Sequence, residues 1–300
     1  MHRSLSVALL AFPFCIQPAT AAAPDCLDTG LSQDYWRPVR EQAPVTKLPA
    51  DEYALELVGC LGSPDPELRD SIGYELFSYW LRQEELADDT RAALLTSLQA
   101  RLEDPAPDAS LSRSFSALVL AELMRSDARS PFMSDADRQS LLESVSSAIA
   151  AETDYRGLDP DIGWVHPVAH MADLLWRFAL HPATSDAQAS ALLAAVQSKV
   201  APPGVSYAFN EGDRLARVAA TIIGRDLLPH GDVVRWLGNF SAPRSMEQWS
   251  DAFRSPAGMA ELHDTKQFLR ALSDQLDGAE IDRDVASALA DLVRSFTALI

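Results

Sequence analysis

Apolar residues return every three or four positions through most of the chain beyond residue 50. Over 68–86, Leu68, Ile72, Leu76, Tyr79 and Trp80 mark one helix face, and Leu94, Leu95, Leu98 and Leu102 do the same over 90–102. The pattern continues with Leu111, Phe115, Leu118, Val119 and Leu123 over 110–125, and with Leu141, Leu142, Val145 and Ile149 over 135–151. The same spacing predicts helices over 167–180, 185–200, 211–228, 231–240, 256–276 and 283–299. Start signals stand where these helices should begin: Asp88-Asp89, Ser110, Ser134-Asp135, Ser185 with Gln188 three later, and Asp282. Pro and Gly mark the breaks at Pro64-Asp65-Pro66, Pro105-Ala106-Pro107 and Pro202-Pro203-Gly204. No run alternates β-branched residues about an Asn-Gly or Asp-Gly turn, so no strand is predicted.

This succession predicts an all-α domain over 51–300. Helix pairs repeat at roughly 40–50 residues, which suits a HEAT-like α-solenoid, an α/α superhelix of antiparallel pairs. A closed α/α barrel-like array is the alternative. Trp80, Trp176, Trp236 and Trp249 fall at helical spacing with other apolar residues and are expected in the core, whereas His181, His230 and His263 are isolated and expected at the surface or at caps.

The first residues follow another pattern. Met1-His2-Arg3-Ser4 is short and basic, Leu5 to Ile16 is apolar, and Ala19-Thr20-Ala21-Ala22-Ala23 is a run of small residues. That order predicts a secretory signal peptide over 1–22, cleaved after Ala21 or Ala22. Its twelve apolar residues fall short of the ~20 that a membrane span requires. A Pro-rich arm over 23–50 follows, with Pro38, Pro44 and Pro49. The expected location is periplasmic or secreted. Such a compartment favours a disulfide between Cys26 and Cys60, closing a loop of about 34 residues and contributing about 3–4 kcal/mol in the chain-entropy account.

The 25 basic residues, only three of them lysines (Lys47, Lys199, Lys266), face 43 acidic ones, giving a net charge of −18. No basic cluster exists to bind phosphates, so nucleic acid is not an expected partner. The acidic excess is diffuse, and it favours cationic partners or divalent ions.

Candidate chemistry gathers between two predicted helices, over 152–177. Pro167 suits a first helical turn, with His166 near the N-cap. His170 and Asp173 then fall four and seven residues after His166, on one helix face. Two imidazoles and a carboxylate are a ligand set for a divalent metal with open positions for water or substrate. Pro167 stands where a metalloprotease helix carries Glu, so the motif is not of that kind. A structural use of the same residues is the leading reading: His166 as a cap, His170 packed in the core and Asp173 paired with Arg177. Glu211 and Asp213 open a later helix; if the two helix starts share a face, either could complete a site with His166, His170 and Asp173. Asp154, Arg156 and Trp164 are candidate ligand contacts.

The runs Asp154-Tyr155-Arg156-Gly157, Gly163 to His170 and Ala172-Asp173-Leu174-Leu175 resemble the central signature of the bacterial family called domain of unknown function 2785. Phe209 to Ala216 is similar to that family's acidic segment before an Arg-Leu helix, and Phe268 to Leu272 to its C-terminal helix. The resemblance spans roughly 50–300 and is strongest over 152–176. It implies an all-α fold and marks the 152–176 segment, but it supplies no reaction.

Three uses of the chain follow. The first is a binding or scaffold module holding a peptide, a protein or a small molecule. The second is a metal-dependent hydrolase with His166, His170 and Asp173 as ligands and Glu211 or Asp213 as a further ligand or general base. The third is an α/α protein that binds or cleaves glycans through Asp159, Asp161 and Trp164.

Overall fold

A computed structural model describes residues 33–44 and 49–299. All ten predicted helices are present. They are α3 (Glu75–Gln83, continuing a wider π-helical entry at Glu67–Tyr74), α4 (Asp88–Leu102), α5 (Ser110–Arg129) and α6 (Asp135–Ala151), then α7 (Pro167–Leu180), α8 (Asp186–Lys199), α9 (Glu211–Gly224), α10 (His230–Gly238), α11 (Pro256–Gln275) and α12 (Arg283–Ala298). Two more precede them: α1 (Gln33–Gln42), inside the segment read as an arm, and α2 (Ala50–Leu57). Helix α1 carries Pro38 within it and buries Trp36 completely. Its Arg37 and Arg40 pair with Glu67 and Glu75, each at 2.7 Å. The predicted signal peptide and Cys26 lie outside the described residues; Cys60 is fully buried.

The start signals act as the chemistry requires at Ser134, Ser185 and Asp282. Ser134 and Asp137, like Ser185 and Gln188, exchange side-chain and backbone bonds as capping boxes. Asp282 accepts the amides of Asp284 and Val285 at 2.9 and 3.2 Å. At α4 the cap position is Ala87, and Asp88 and Asp89 fill the first turn, where they complement the helix dipole. Ser110 is the first residue of α5, and its hydroxyl donates to Asp154 at 2.8 Å.

The absence of strands is corrected at one point. Leu158–Asp159 and Gly163–Trp164 pair antiparallel as a two-residue hairpin, with Leu158 opposite Trp164. Strands this short offer no alternation to read. The hairpin is set by its turn: Asp159 accepts the amides of Asp161 and Ile162 at 3.0 and 3.3 Å, and Gly163 takes φ +74°.

Helices α5, α7, α9 and α11 pack successively, each on the next, while α4, α6 and α8 form a second succession beside them. Helix α7 is the centre of the first row. Pro167, Val168, Ala169, His170, Met171 and Ala172 are all buried, so its first turns are held from every side. Trp80, Trp236 and Trp249 are core residues as expected. Trp176 is only half-buried; its indole N–H donates to Thr221 at 3.0 Å, and Arg177 and Arg217 lie over its ring. His181 is the C-cap of α7, one of the two places expected for it, and is buried with Nε2 3.1 Å from Asp127. No helix among the described residues is long and apolar enough to cross a membrane.

Candidate functional site

Two helix starts meet here. Helix α7 begins after His166 at φ +47°, and α9 begins after Asn210 at φ +67°. Neither residue caps its helix with its side chain. The left-handed region is unfavourable for residues with a Cβ, and such strain tends to gather at functional sites. At position 166 the unusual backbone goes with a side chain turned toward the other helix. His166 Nε2 lies 2.9 Å from the Phe209 carbonyl and 3.3 Å from Glu211 Oε1. A carbonyl only accepts, so Nε2 carries a proton. The other Glu211 oxygen accepts the Phe209 amide at 3.0 Å. Glu211 is only 2% exposed. Burial pushes its carboxyl up, but the His166 hydrogen bond, the amides of Glu211 and Phe209 and the His166 charge outweigh this and hold it below its usual range.

One turn on, His170 Nδ1 lies 2.8 Å from Ser114 Oγ on α5. The Ser114 hydroxyl also donates to the Val165 carbonyl. A hydroxyl has one proton, so Nδ1–H donates to Ser114 and Nε2 is left as an acceptor. Burial first, then the charges of His166, Arg214 and Arg69, pushes this imidazole down to about 3, and a hydrogen bond with Ser114 opposes them. His170 is therefore neutral at physiological pH. The two imidazoles are 5.8 Å apart between centroids, and Phe115 meets His170 edge-on at 5.0 Å.

The hairpin covers this pair. Trp164 stacks on His166 at 5.1 Å and 27° and meets Phe209 edge-on at 5.9 Å. The Trp164 ring remains 43% exposed, and its cross-strand neighbour Leu158 is 51% exposed. Beneath them Phe209 presses on Gly157, where a Cβ would come within 2.1 Å of Phe209 Cδ2. Only glycine leaves that ring its place. The hairpin is anchored from the other side by Arg69, fully buried, which donates to the carbonyls of Ser63 (3.1 Å) and Ile162 (2.9 Å) and pairs with Asp70 at 2.6 Å.

The sequence-predicted residues thus separate. His166 lies between Glu211, at 3.3 Å, and His170, whose ring is 5.8 Å from its own. Asp173 lies on the same helix but is held by Arg214 and approached by Arg217 at 3.8 Å. It does not pair with Arg177, whose guanidinium reaches Glu122 instead. Asp213 is exposed and lines a small cavity at the start of α9 together with Glu211. Among the described residues no group of three or more His, Cys, Asp or Glu side chains is placed to hold a metal ion. The five-residue metal grouping is not assembled, because an arginine takes the Asp173 carboxylate. Asp154 and Arg156 are a brace within the segment: Arg156 pairs with Asp154 at 2.7 Å and Asp159 at 3.2 Å. Burial raises Asp154, but the Arg156 and Ser110 hydrogen bonds bring it below its usual range.

Sequence reasoning missed Ser114, Arg69 and Asp264. The first two reach the site from α5 and the π-helical entry, across sequence gaps no local pattern records. Asp264, on α11, accepts the Tyr207 amide at 3.0 Å and is buried beside Glu211. Burial, reinforced by the Glu211 charge, pushes it up to about 7.

A family model described as protein of unknown function (DUF2785) matches residues 98–273, and the chain belongs to that family. The match takes in both helix starts and Asp264. Comparison with curated proteins and with solved structures finds no match.

Proposed function

We propose that this chain is an exported binding module whose ligand lies against Trp164 and the His166–Glu211 pair. The observation that carries the reading is the Trp164 ring, exposed at 43% yet fixed by stacking on His166 and by the Arg69-anchored hairpin. A large aromatic held rigid beside Leu158, with polar groups at its edge, offers contact area at little cost in side-chain freedom. A peptide or a protein segment suits such a surface best. Export rests on the signal-peptide pattern over 1–22, and it goes with a Cys26–Cys60 disulfide tying the N-terminal segment to the domain. The two successions of helices support a HEAT-like superhelix over 51–300.

Selection of a random peptide library on the purified protein tests this reading. Peptides enriched on the parent and not on Trp164→Ala, with the variant's Tm unchanged, support it. Equal enrichment on both proteins overturns it.

One observation favours a second reading, a hydrolase. The neutral His170 imidazole lies 5.8 Å, ring centre to ring centre, from His166, whose Nε2 carries a proton, so the two residue types of acid–base chemistry are neighbours. Without Asp173 this reading has no three-ligand metal set, and it becomes acid–base chemistry. The glycan reading is weakened because the Asp159 carboxylate is occupied by its own turn and by Arg156.

A further inference from the structure

Five arginines from four helices meet around two carboxylates. Arg82 of α3 pairs with Glu122 of α5 at 2.6 Å, and Arg125, a turn later on α5, reaches the same carboxylate at 3.5 Å. Arg177 of α7 approaches it at 3.8 Å. Arg177 and Arg217 of α9 both lie over the Trp176 ring, 4.5 and 4.8 Å from its centroid. Arg217 then comes within 3.8 Å of Asp173, which Arg214 holds. These contacts form one continuous stripe across α3, α5, α7 and α9, helices that pack successively. Glu122 and Asp173 lie beneath, with side chains 4% and 13% exposed, while the five arginine side chains are between 21% and 43% exposed. What the stripe presents outward is therefore guanidinium. Two arginines would neutralise two carboxylates, and five are present, a local excess of three positive charges in a chain of net −18. The guanidinium groups of Arg177 and Arg217 make no hydrogen bond among the described residues. For Arg177, burial first, then the charges of Arg125 and Arg82, pushes the guanidinium below its ordinary value against the pull of Glu122 and Asp173. The stripe has donors and positive charge in excess, and it lacks acceptors.

We propose that this stripe docks an acidic peptide segment, whose Asp or Glu carboxylates accept from Arg177 and Arg217 and extend the alternation of carboxylate and guanidinium that Glu122 and Asp173 begin. The planar fork of arginine matches a carboxylate with two parallel hydrogen bonds. Packed helices stand about 8–10 Å apart, so the steps from α3 to α9 set a length of about 25 Å. Extended chain covers ~3.3 Å per residue, which makes the segment about eight residues long. A nucleic acid fits less well. Its charge continues along the strand, and beyond the stripe it meets an acidic surface. A short peptide ends where the arginines end. The inference does not depend on the Trp164 surface being a ligand site.

Fluorescence anisotropy of labelled probes on the purified protein tests it. The probes are a peptide of about that length alternating Glu and Gly, the same peptide with Gln for Glu, and a single-stranded oligonucleotide longer than the stripe. The Glu peptide is expected to bind, and to bind more weakly as salt rises. The other two are expected not to bind. The Arg177→Gln/Arg217→Gln double variant removes the two guanidinium groups without hydrogen bonds and leaves the Arg82–Glu122 and Arg214–Asp173 pairs in place. Its Tm should stay near the parent's while the peptide binds about tenfold more weakly. Arg217→Gln alone, at the more exposed of the two positions, should give a smaller loss in the same direction and serves if the double variant does not fold. Arg235→Gln, at an exposed arginine of α10 outside the stripe, should leave the affinity unchanged. No binding of the Glu peptide at low salt overturns the proposal. So does equal binding of the Gln peptide, oligonucleotide binding as tight as the peptide's, unchanged affinity in the Arg177 and Arg217 variants, or an equal loss in Arg235→Gln.

Discussion

Gly157 and Phe209 are packed so closely that a methyl group on the first would sit 2.1 Å from Cδ2 of the second. The contact joins the 152–166 segment to the start of α9, and the Phe209 carbonyl is the acceptor for His166. Gly157→Ala therefore acts on the site through the ring. We expect a loss of about 2–3 kcal/mol, the overpacking range. Pairing it with Phe209→Leu should restore part of that loss. Chemical denaturation of both single variants and the double one measures the coupling; strict additivity would show that the two residues do not act through this contact.

Glu211→Gln removes the charge from a buried pair while keeping its shape. Oε2 accepts the Phe209 amide and Oε1 faces His166, so the amide can keep one partner only if its NH₂ takes the other place. The NH₂ then points at a protonated Nε2 or at an amide N–H, two donors face to face. A loss of about 2 kcal/mol is expected. A thermal midpoint equal to that of the parent would mean the pair contributes nothing to the fold.

Two buried groups give opposite pH dependences. His170 is depressed to about 3 in the folded chain, against 6.5 for an ordinary imidazole. Below 6.5 the unfolded chain takes up a proton that the folded one refuses, so stability falls as pH drops from 6.5 toward 3. Asp264 is raised to about 7 from 3.8, so the folded chain retains a proton that the unfolded one has lost. Its contribution falls as pH rises from 4 to 7. His170→Gln should flatten the acid side of the stability profile and Asp264→Asn the neutral side. The groups facing Asp264 are the Tyr207 amide, Ser206 and Glu211. Urea midpoints between pH 4 and 8 decide; parallel profiles for parent and variants would contradict both assignments.

Arg69→Met keeps the apolar stem and removes the guanidinium. The carbonyls of Ser63 and Ile162 then lose their donor, and the hairpin loses its tie to the entry of α3. Hydrogen exchange should rise selectively over 157–166, with a global loss of about 3 kcal/mol. Uniform protection across the hairpin would show that its anchorage lies elsewhere.

The helices were legible because their periodicity is local and their breaks carry Pro and Gly. Helix α1 was not, since Pro38 and its neighbours read as a break while burial of Trp36 and the pairs to Glu67 and Glu75 hold it in place. At the site, the i,i+4 spacing of His166 and His170 goes with imidazoles 5.8 Å apart, and Glu211 lies 3.3 Å from His166 across the two helix starts. Spacing could not reveal that Arg214, 41 residues later, holds Asp173. Nor could it find Ser114, a serine among many, whose role comes from lying opposite His170 when α5 packs on α7.

The left-handed residues at the two helix starts divide stability from use. At Asn210, exposed and without a capping bond, glycine relieves the backbone and costs no contact to His166, so Asn210→Gly should add about 0.5–1 kcal/mol. At His166 the same relief would delete the imidazole that Trp164, Phe209 and Glu211 surround. A selection for heat resistance should therefore take glycine at 210 and refuse it at 166, where loss of the contacts to Phe209 and Glu211 outweighs the relief of the backbone. The strain at 166 is the cost of aiming one side chain across to the neighbouring helix start, and the strain at 210 secures no such contact.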